Sequence, residues 1–118
     1  MTTTGDDSPP TRSLQKGSAE LLVLAMLEGR DRHGYEIAQR IEALSDGRLA
    51  FQAATLYPLL YKLEQRGLVA GRWVEKPGER RRRFYRLTSA GRRALGSQRR
   101  AWRDFLDAVE RVGQLGRA

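Results

Sequence analysis

Cysteine is absent from this chain, and histidine occurs once, at His33. The first absence excludes a disulfide frame and thiol chemistry. Together the two leave a zinc site nothing but carboxylates, a donor set zinc seldom uses alone. No apolar run approaches the roughly 18 residues of a membrane span. The amino terminus lacks the basic-then-apolar order of a secretory signal, so the expectation is a soluble, cytoplasmic protein with no membrane partner. Also missing are a Ser/His/Asp set, a phosphate-cradling glycine loop and paired acids that could share a cleft. The acids are scattered over predicted helix surfaces, so neither an enzyme nor a cofactor is expected.

Acids are scarcest where bases are densest. The 118 residues carry a formal net charge of +8 and a pI near 10.8. Between Arg66 and Arg103 there are 13 Lys or Arg and only Glu75 and Glu79 against them, a net of +11; the remainder is −3. A basic region of this kind suits a polyanion, because neutralising phosphates releases condensed counterions. The plain alternative is a solvated basic face with no partner. The length suits one small domain, which an oligomer would help to stabilise.

Residues 1–13 are rich in Thr, Asp and Pro without an apolar pattern, and read as a flexible tail. Lys16-Gly17-Ser18 offers a helix start. The following run, from Ala19 through Leu21 and Leu24 to Leu27, is apolar nearly all round, which calls for cover on more than one side and points to a second subunit. Gly29 stops it. His33-Gly34-Tyr35 opens a second helix with Ile37, Ala38, Ile41 and Leu44 on one face. Leu49-Ala50-Phe51 reads as a short extended piece, the expected short strand between the second and third helices.

The third helix is predicted from about Ala53 to Arg66. Leu56, Leu59, Leu60 and Leu63 form one stripe. Ala54, Pro58, Tyr61, Lys62 and Gln65 lie opposite, flanked by Thr55 and Tyr57. Pro58 removes one backbone bond, so an irregular or tightened first turn is expected. After Gly67, two strand-like runs flank Pro77-Gly78, a turn pair. This hairpin carries Arg80, Arg81, Arg82 and Arg83 at its tip and along the start of its return strand. Alternation in a strand sends some of the four to one face and some to the other. Thr88 is the predicted cap of a long last helix, with Ser89 the alternative. There Leu95, Trp102 and Val109 recur every seven residues, with Phe105, Leu106 and Val112 widening the stripe. Its natural partner is the first helix or the same helix of another chain.

The order of elements is that of a winged helix-turn-helix with an added C-terminal helix, a mainly α chain with a small β-hairpin (α+β). The predicted units are the tail 1–13, the winged helix 14–87, a dimerisation helix 88–113 and a frayed end 114–118. Several motifs occur in a fixed order: Lys16-Gly17-Ser18, His33-Gly34-Tyr35-Glu36-Ile37, Thr55-Leu56-Tyr57-Pro58, Gly67-Leu68-Val69, and Arg83-Phe84-Tyr85-Arg86-Leu87-Thr88 with Ala90-Gly91. With them the chain resembles the PadR family of bacterial transcriptional regulators, from about Leu14 to Val112. The resemblance implies a homodimeric repressor of an inverted-repeat operator. It places the third helix in the major groove and the wing on the adjacent backbone, with the first and last helices between subunits. The single terminal helix resembles the compact subgroup, some of whose members take flat aromatic drugs at a tryptophan on that helix; Trp102 is the equivalent. One departure is Gln52-Ala53-Ala54 where the family often has a Ser-Pro-Gly-like start.

The expected double-stranded DNA surface comprises Tyr35, Ala54, Thr55, Tyr57, Tyr61, Lys62, Arg80, Arg81, Arg82 and Arg83. Hydroxyls, amides and cations of this kind bond phosphates and base edges. Tyr35 sits at a helix N-terminus suited to a phosphate, and core packing of its ring is an equal alternative; Tyr57 flanks the core as well. The expected dimer surface comprises Leu21, Leu24, Leu95, Trp102, Phe105, Leu106 and Val109. Trp102 doubles as the candidate site for a small aromatic effector. The rival reading is a nonspecific, architectural nucleic-acid-binding protein without effector. The cytoplasm, at the nucleoid, is the expected location.

Overall fold

The computed structural model describes residues 11–116, with side chains described from residue 17 onward. Helix α1 (Thr11–Met26) leads through strand β1 (Arg32–His33) into α2 (Gly34–Leu44) and α3 (Ala53–Gln65). The hairpin β2 (Val69–Val74) and β3 (Arg82–Leu87) follows, then α4 (Ser89–Gly113). The sheet is antiparallel with order β1-β3-β2. The architecture is therefore the expected α+β winged helix with a long terminal helix.

Two boundaries differ from the sequence reading. Helix α1 starts at Thr11, upstream of Lys16-Gly17-Ser18, so residues 11–13 of the expected tail are helical. The rest of that tail, and residues 117 and 118 of the expected frayed end, lie outside the described residues. The third strand is also a correction. It is Arg32-His33, paired with Tyr85 and Phe84, and not the Leu49-Ala50-Phe51 piece. The link between α1 and α2 runs alongside the free edge of β3, whereas Phe51 is turned into the core. Arg32 fixes that link. Its Nε donates to the Met26 carbonyl at 2.8 Å, closing the end of α1, and its guanidinium pairs with Glu36 at 2.7 Å.

A single apolar cluster fills the centre, drawing Val23, Leu24 and Leu27 from α1, Ile37 and Ile41 from α2, and Leu56, Leu60 and Leu63 from α3. Leu68, Val69, Tyr85, Leu87 and Leu95 close it from the hairpin and α4, and among the described residues no buried charged or amide side chain interrupts it. Leu21, Leu22, Ala25 and Met26 pack partly against the same cluster. The chain thus covers much of α1 by itself, more than its all-round apolar pattern implies. Leu44, the last residue of α2, overshoots the core and is exposed. In α3 the Gln52 carbonyl accepts from both the Thr55 and the Leu56 N–H at 2.9 Å, so an i→i+3 contact stands beside the regular i→i+4 one in the turn around Pro58.

The start of α4 is locked to the base of the hairpin. Thr88 Oγ1 accepts from the Gly91 N–H at 3.0 Å and donates to the Gly67 carbonyl at 2.6 Å. Gly91 then lies so close to the hairpin that a Cβ would come within 2.0 Å of the Leu68 carbonyl oxygen. Glu20 of α1 pairs with Gln98 of α4, Glu28 in the turn after α1 pairs with Arg99, and Arg66 reaches Glu20 at 2.8 Å. Hydrogen bonding from Arg99 is the main reason the Glu28 carboxyl is held below its usual range. Two glycines of α4 therefore differ in kind. Gly91→Ala forces backbone apart and is expected to destabilise by about 2 kcal/mol or more. Gly96→Ala meets nothing nearer than the Arg100 guanidinium at 3.7 Å and is expected to stabilise by about 0.5–1 kcal/mol. Urea unfolding of the two variants checks both signs.

Candidate nucleic-acid interface

Because Leu56, Leu60 and Leu63 face inward, the opposite side of α3 faces out. Ala54, Thr55, Pro58, Tyr61, Lys62 and Gln65 are all exposed, Tyr61 by 63%. The side carries hydroxyls, an amide and one cation, and no acid. Gln52 caps α3 in position only, and its side chain satisfies none of the first N–H groups of the helix. This is the local consequence of the Gln52-Ala53-Ala54 entry.

Tyr35 and Tyr57 stand next to this face. Tyr35 is 60% exposed, which leaves its ring on the surface and not in the core. Tyr57 is half exposed and its ring lies against Gly34, so it shapes the junction of α2 and α3. His33 caps α2 by accepting the Glu36 N–H on Nδ1 at 3.2 Å. Its ring stands edge-on to Phe84, with centroids 5.2 Å apart.

The wing turns at Pro77-Gly78, where the Glu79 N–H bonds the Lys76 carbonyl at 3.0 Å. Proline at the second position and Gly78 at φ +75° in the third make it a type II turn. The four arginines then separate. Arg80 is exposed in the loop, with no ion pair to another described residue. Arg81 lies over the Trp73 ring at 4.3 Å and near Glu75 at 3.9 Å. Arg82 approaches the His33 ring nitrogens at 3.2 and 3.4 Å. Arg83 pairs with Glu64 of α3 at 2.6 Å and is half-buried. A cleft of about 520 Å³ opens between wing, α2 and α3, lined by Tyr35, Tyr57, Trp73, Arg80 and Arg82 among others and by no acid. Trp73 is an exposed aromatic on the wing that the sequence presents only as a strand residue. Strand alternation, which sets it opposite Arg83, is the signal that marks it.

The other expected surface is divided by the core. Leu24 and Leu95 are 0% and 1% exposed within the single chain, so they leave no area for a partner. Leu21 is half-buried. Phe105, Leu106 and Val109 are exposed on α4, with Val112 beyond them. Trp102 is half-buried and stands edge-on to Phe105 at 5.6 Å between centroids. Among the described residues no group of His, Asp and Glu could hold a metal ion, and no helix is long and apolar enough to cross a membrane.

A helix-turn-helix backed by a three-stranded sheet, with a cationic wing beside the exposed helix, is the winged-helix class. The family model described as the transcriptional regulator PadR-like family matches residues 23–97. Transcriptional regulator Rv3488 of Mycobacterium tuberculosis is 37% identical over 98 residues, covering 83% of this chain and 88% of that protein. A PadR family transcriptional regulator of Eggerthella lenta superposes with a TM-score of 0.73 at 31% identity, covering 89% of each chain. The PadR protein of Bacillus subtilis, solved in complex with operator DNA, shares the fold, with a TM-score of 0.62 at 21% identity over 68% of this chain and 45% of that one. The chain belongs to the PadR-like family, whose members are transcriptional regulators and not enzymes.

Burial, and then the nearby Arg82 guanidinium, lower the proton affinity of His33 below its ordinary value; Glu36 pulls the other way. The unfolded chain takes up this proton near the ordinary pKa of 6.5 while the folded chain resists it. The stability tied to His33 is thus intact above that pH, falls as pH drops, and levels off once the folded imidazole also protonates. In His33→Asn, which keeps a capping acceptor, urea midpoints measured from about pH 7 to 5 are expected to fall less than in wild type.

Proposed function

We propose that this chain is a homodimeric repressor that reads an inverted-repeat DNA operator through α3 and holds the flanking backbone with its wing. The observation that carries this reading is the acid-free face of α3 set beside an acid-free cleft of arginines and tyrosines. Ala54, Thr55, Tyr61 and Lys62 address base edges and nearby phosphates. Tyr35, Tyr57, Arg80, Arg81 and Arg82 address phosphates along the cleft. Operator DNA is the partner of the Bacillus subtilis PadR structure, and the shared fold supports the same partner here. Residues 14–87 form the reading unit and residues 88–113 the dimerisation helix. The protein acts in the cytoplasm, at the nucleoid.

The dimer is supported by α4. Trp102, Phe105, Leu106 and Val109 follow one another at helical spacing where the helix has left its own core, and an exposed apolar stripe of that kind is the mark of an interface. With Leu21 they make a self-complementary two-fold surface, and a two-fold protein reads a two-fold site. A planar aromatic effector stacks at Trp102 and, by altering the subunit pairing, releases the operator. The rival is a nonspecific architectural binder; the exposed residues on α3 favour the operator reader, because a purely electrostatic protein needs only the wing.

Selection from a random duplex pool tests the reading: a dyad-symmetric winner is expected, and no enrichment over random sequence overturns it. Arg81→Ala with Arg82→Ala is expected to weaken all duplexes about equally. It should also flatten the salt dependence by about 0.9 in log–log slope for each phosphate no longer neutralised; an unchanged slope in anisotropy titrations refutes the phosphate role. Phe105→Glu with Leu106→Glu is expected to give monomers in sedimentation velocity. Wild type and Trp102→Phe, titrated with cationic planar dyes, test the effector site; equal binding counts against it.

A further inference from the structure

The wing is a two-stranded arm, and only its base is widened by β1, which pairs with Tyr85 and Phe84. Beyond that, its angle to the body depends on side chains. On one face Arg72 pairs with Asp31 at 3.0 Å and Arg82 approaches His33. Both contacts tie the wing to the entry of α2. The opposite face carries Gly71 and Trp73 on β2 and Arg83 and Tyr85 on β3, with Trp73 directly across from Arg83 and Gly71 across from Tyr85. Its tie to α3 is Arg83, whose guanidinium sits 2.6 Å from Glu64 in the last turn of the helix. Both partners are about a quarter exposed, 27% and 29%, so the pair is shielded from salt more than the wing tip is.

The surroundings hold that guanidinium in place. It lies 5.4 Å from the Trp73 ring centroid and 5.8 Å from that of Tyr85. It rests where the side chain of residue 71 would be: a Cβ on Gly71 would lie 2.6 to 2.8 Å from Nε, Cζ and a terminal nitrogen of Arg83. The planar fork of arginine suits a carboxylate on one side and aromatic faces on the others. From Glu64 the contacts continue outward through Arg83 and Trp73 to Arg81, over the same indole at 4.3 Å. The position of Arg81 is thereby referred back to α3.

We propose that Arg83 is a positioning residue and not a phosphate contact. Resting on the operator reading above, the Glu64–Arg83 pair, seated on Gly71, sets the wing at a fixed angle to α3. Wing phosphates and groove-facing side chains then engage the same stretch of DNA in register. Arg80, by contrast, supplies charge alone. Two arginines three residues apart thus do separable things: one governs sequence discrimination and the other the strength of all binding.

The test uses the full chain, the duplex won from the random pool and a scrambled duplex, titrated by anisotropy over a KCl series. Arg80→Gln is expected to weaken both duplexes equally and to lower the salt slope, leaving their affinity ratio unchanged. Arg83→Gln, Glu64→Gln and Gly71→Ala are each expected to cut that ratio about ten-fold at unchanged slope, within the range that coupling through one ion-pair network gives. Their charge changes are −1, +1 and 0, so no electrostatic account gives all three the same sign. Thermal melts check folding, and Glu64→Arg combined with Arg83→Glu is expected to recover most of the ratio. If wild type selects a duplex and Arg83→Gln behaves like Arg80→Gln, or the charge swap recovers nothing, this inference fails alone. If wild type selects no duplex, the operator reading fails and this inference with it.

Discussion

Burial of Leu56, Leu60 and Leu63 orients the rest of the molecule. These three side chains are at most 1% exposed and share one core with Val23, Ile37, Leu87 and Leu95. A helix so pinned along one stripe has no freedom to roll, so Thr55, Tyr61, Lys62 and Gln65 face outward by the same geometry. Hydrophobic packing thereby fixes the orientation of a polar surface that does no packing. The same core holds the ends of β2 and β3 through Val69 and Leu87, which starts the wing beside α3.

Helix α4 serves two environments in sequence. Its first turns belong to the body: Thr88 caps it, Gly91 touches the Leu68 backbone, Leu95 enters the core and Arg99 reaches Glu28. Past that point the helix continues with an apolar stripe and nothing among the described residues of its own chain to lay it on. An uncovered stripe costs solvation free energy in a lone chain and recovers it against a second one. Trp102, Phe105, Leu106 and Val109 thus stand outside the core, while Leu24 and Leu95 belong to it.

The basic stretch shows how far charge alone informs. Arg80, Arg81, Arg82 and Arg83 are chemically identical, yet one is open, one lies on an indole, one stands against His33 and one is paired with Glu64. Strand alternation divides them into two faces. What each face meets is settled by residues distant in the chain, Asp31 and His33 on one side and Glu64 on the other. A net charge therefore describes the class of partner, and only the fold describes which cations are available to it.

Local pattern in the chain was enough for the existence of the helices, the inward faces of α2 and α3 apart from Leu44, the Pro77-Gly78 turn, a cap at Thr88 or Ser89 and the family, because each rests on periodicity, capping or an ordered motif string. It was enough for the polar face of α3 too, which follows from the leucine stripe opposite. It left open which apolar residues of α1 and α4 meet their own core and which are left over, since an all-round apolar helix looks alike in both cases. Folding settled that, and with it the completion of the sheet by Arg32-His33 and not by Leu49-Ala50-Phe51. Folding also extended α1 back to Thr11 and drew Arg83 away from the solvent side of the wing. The sheet edge, the divided helix faces and the Arg83 pairing all depend on which segment arrives beside which, a long-range contact that no window of sequence contains.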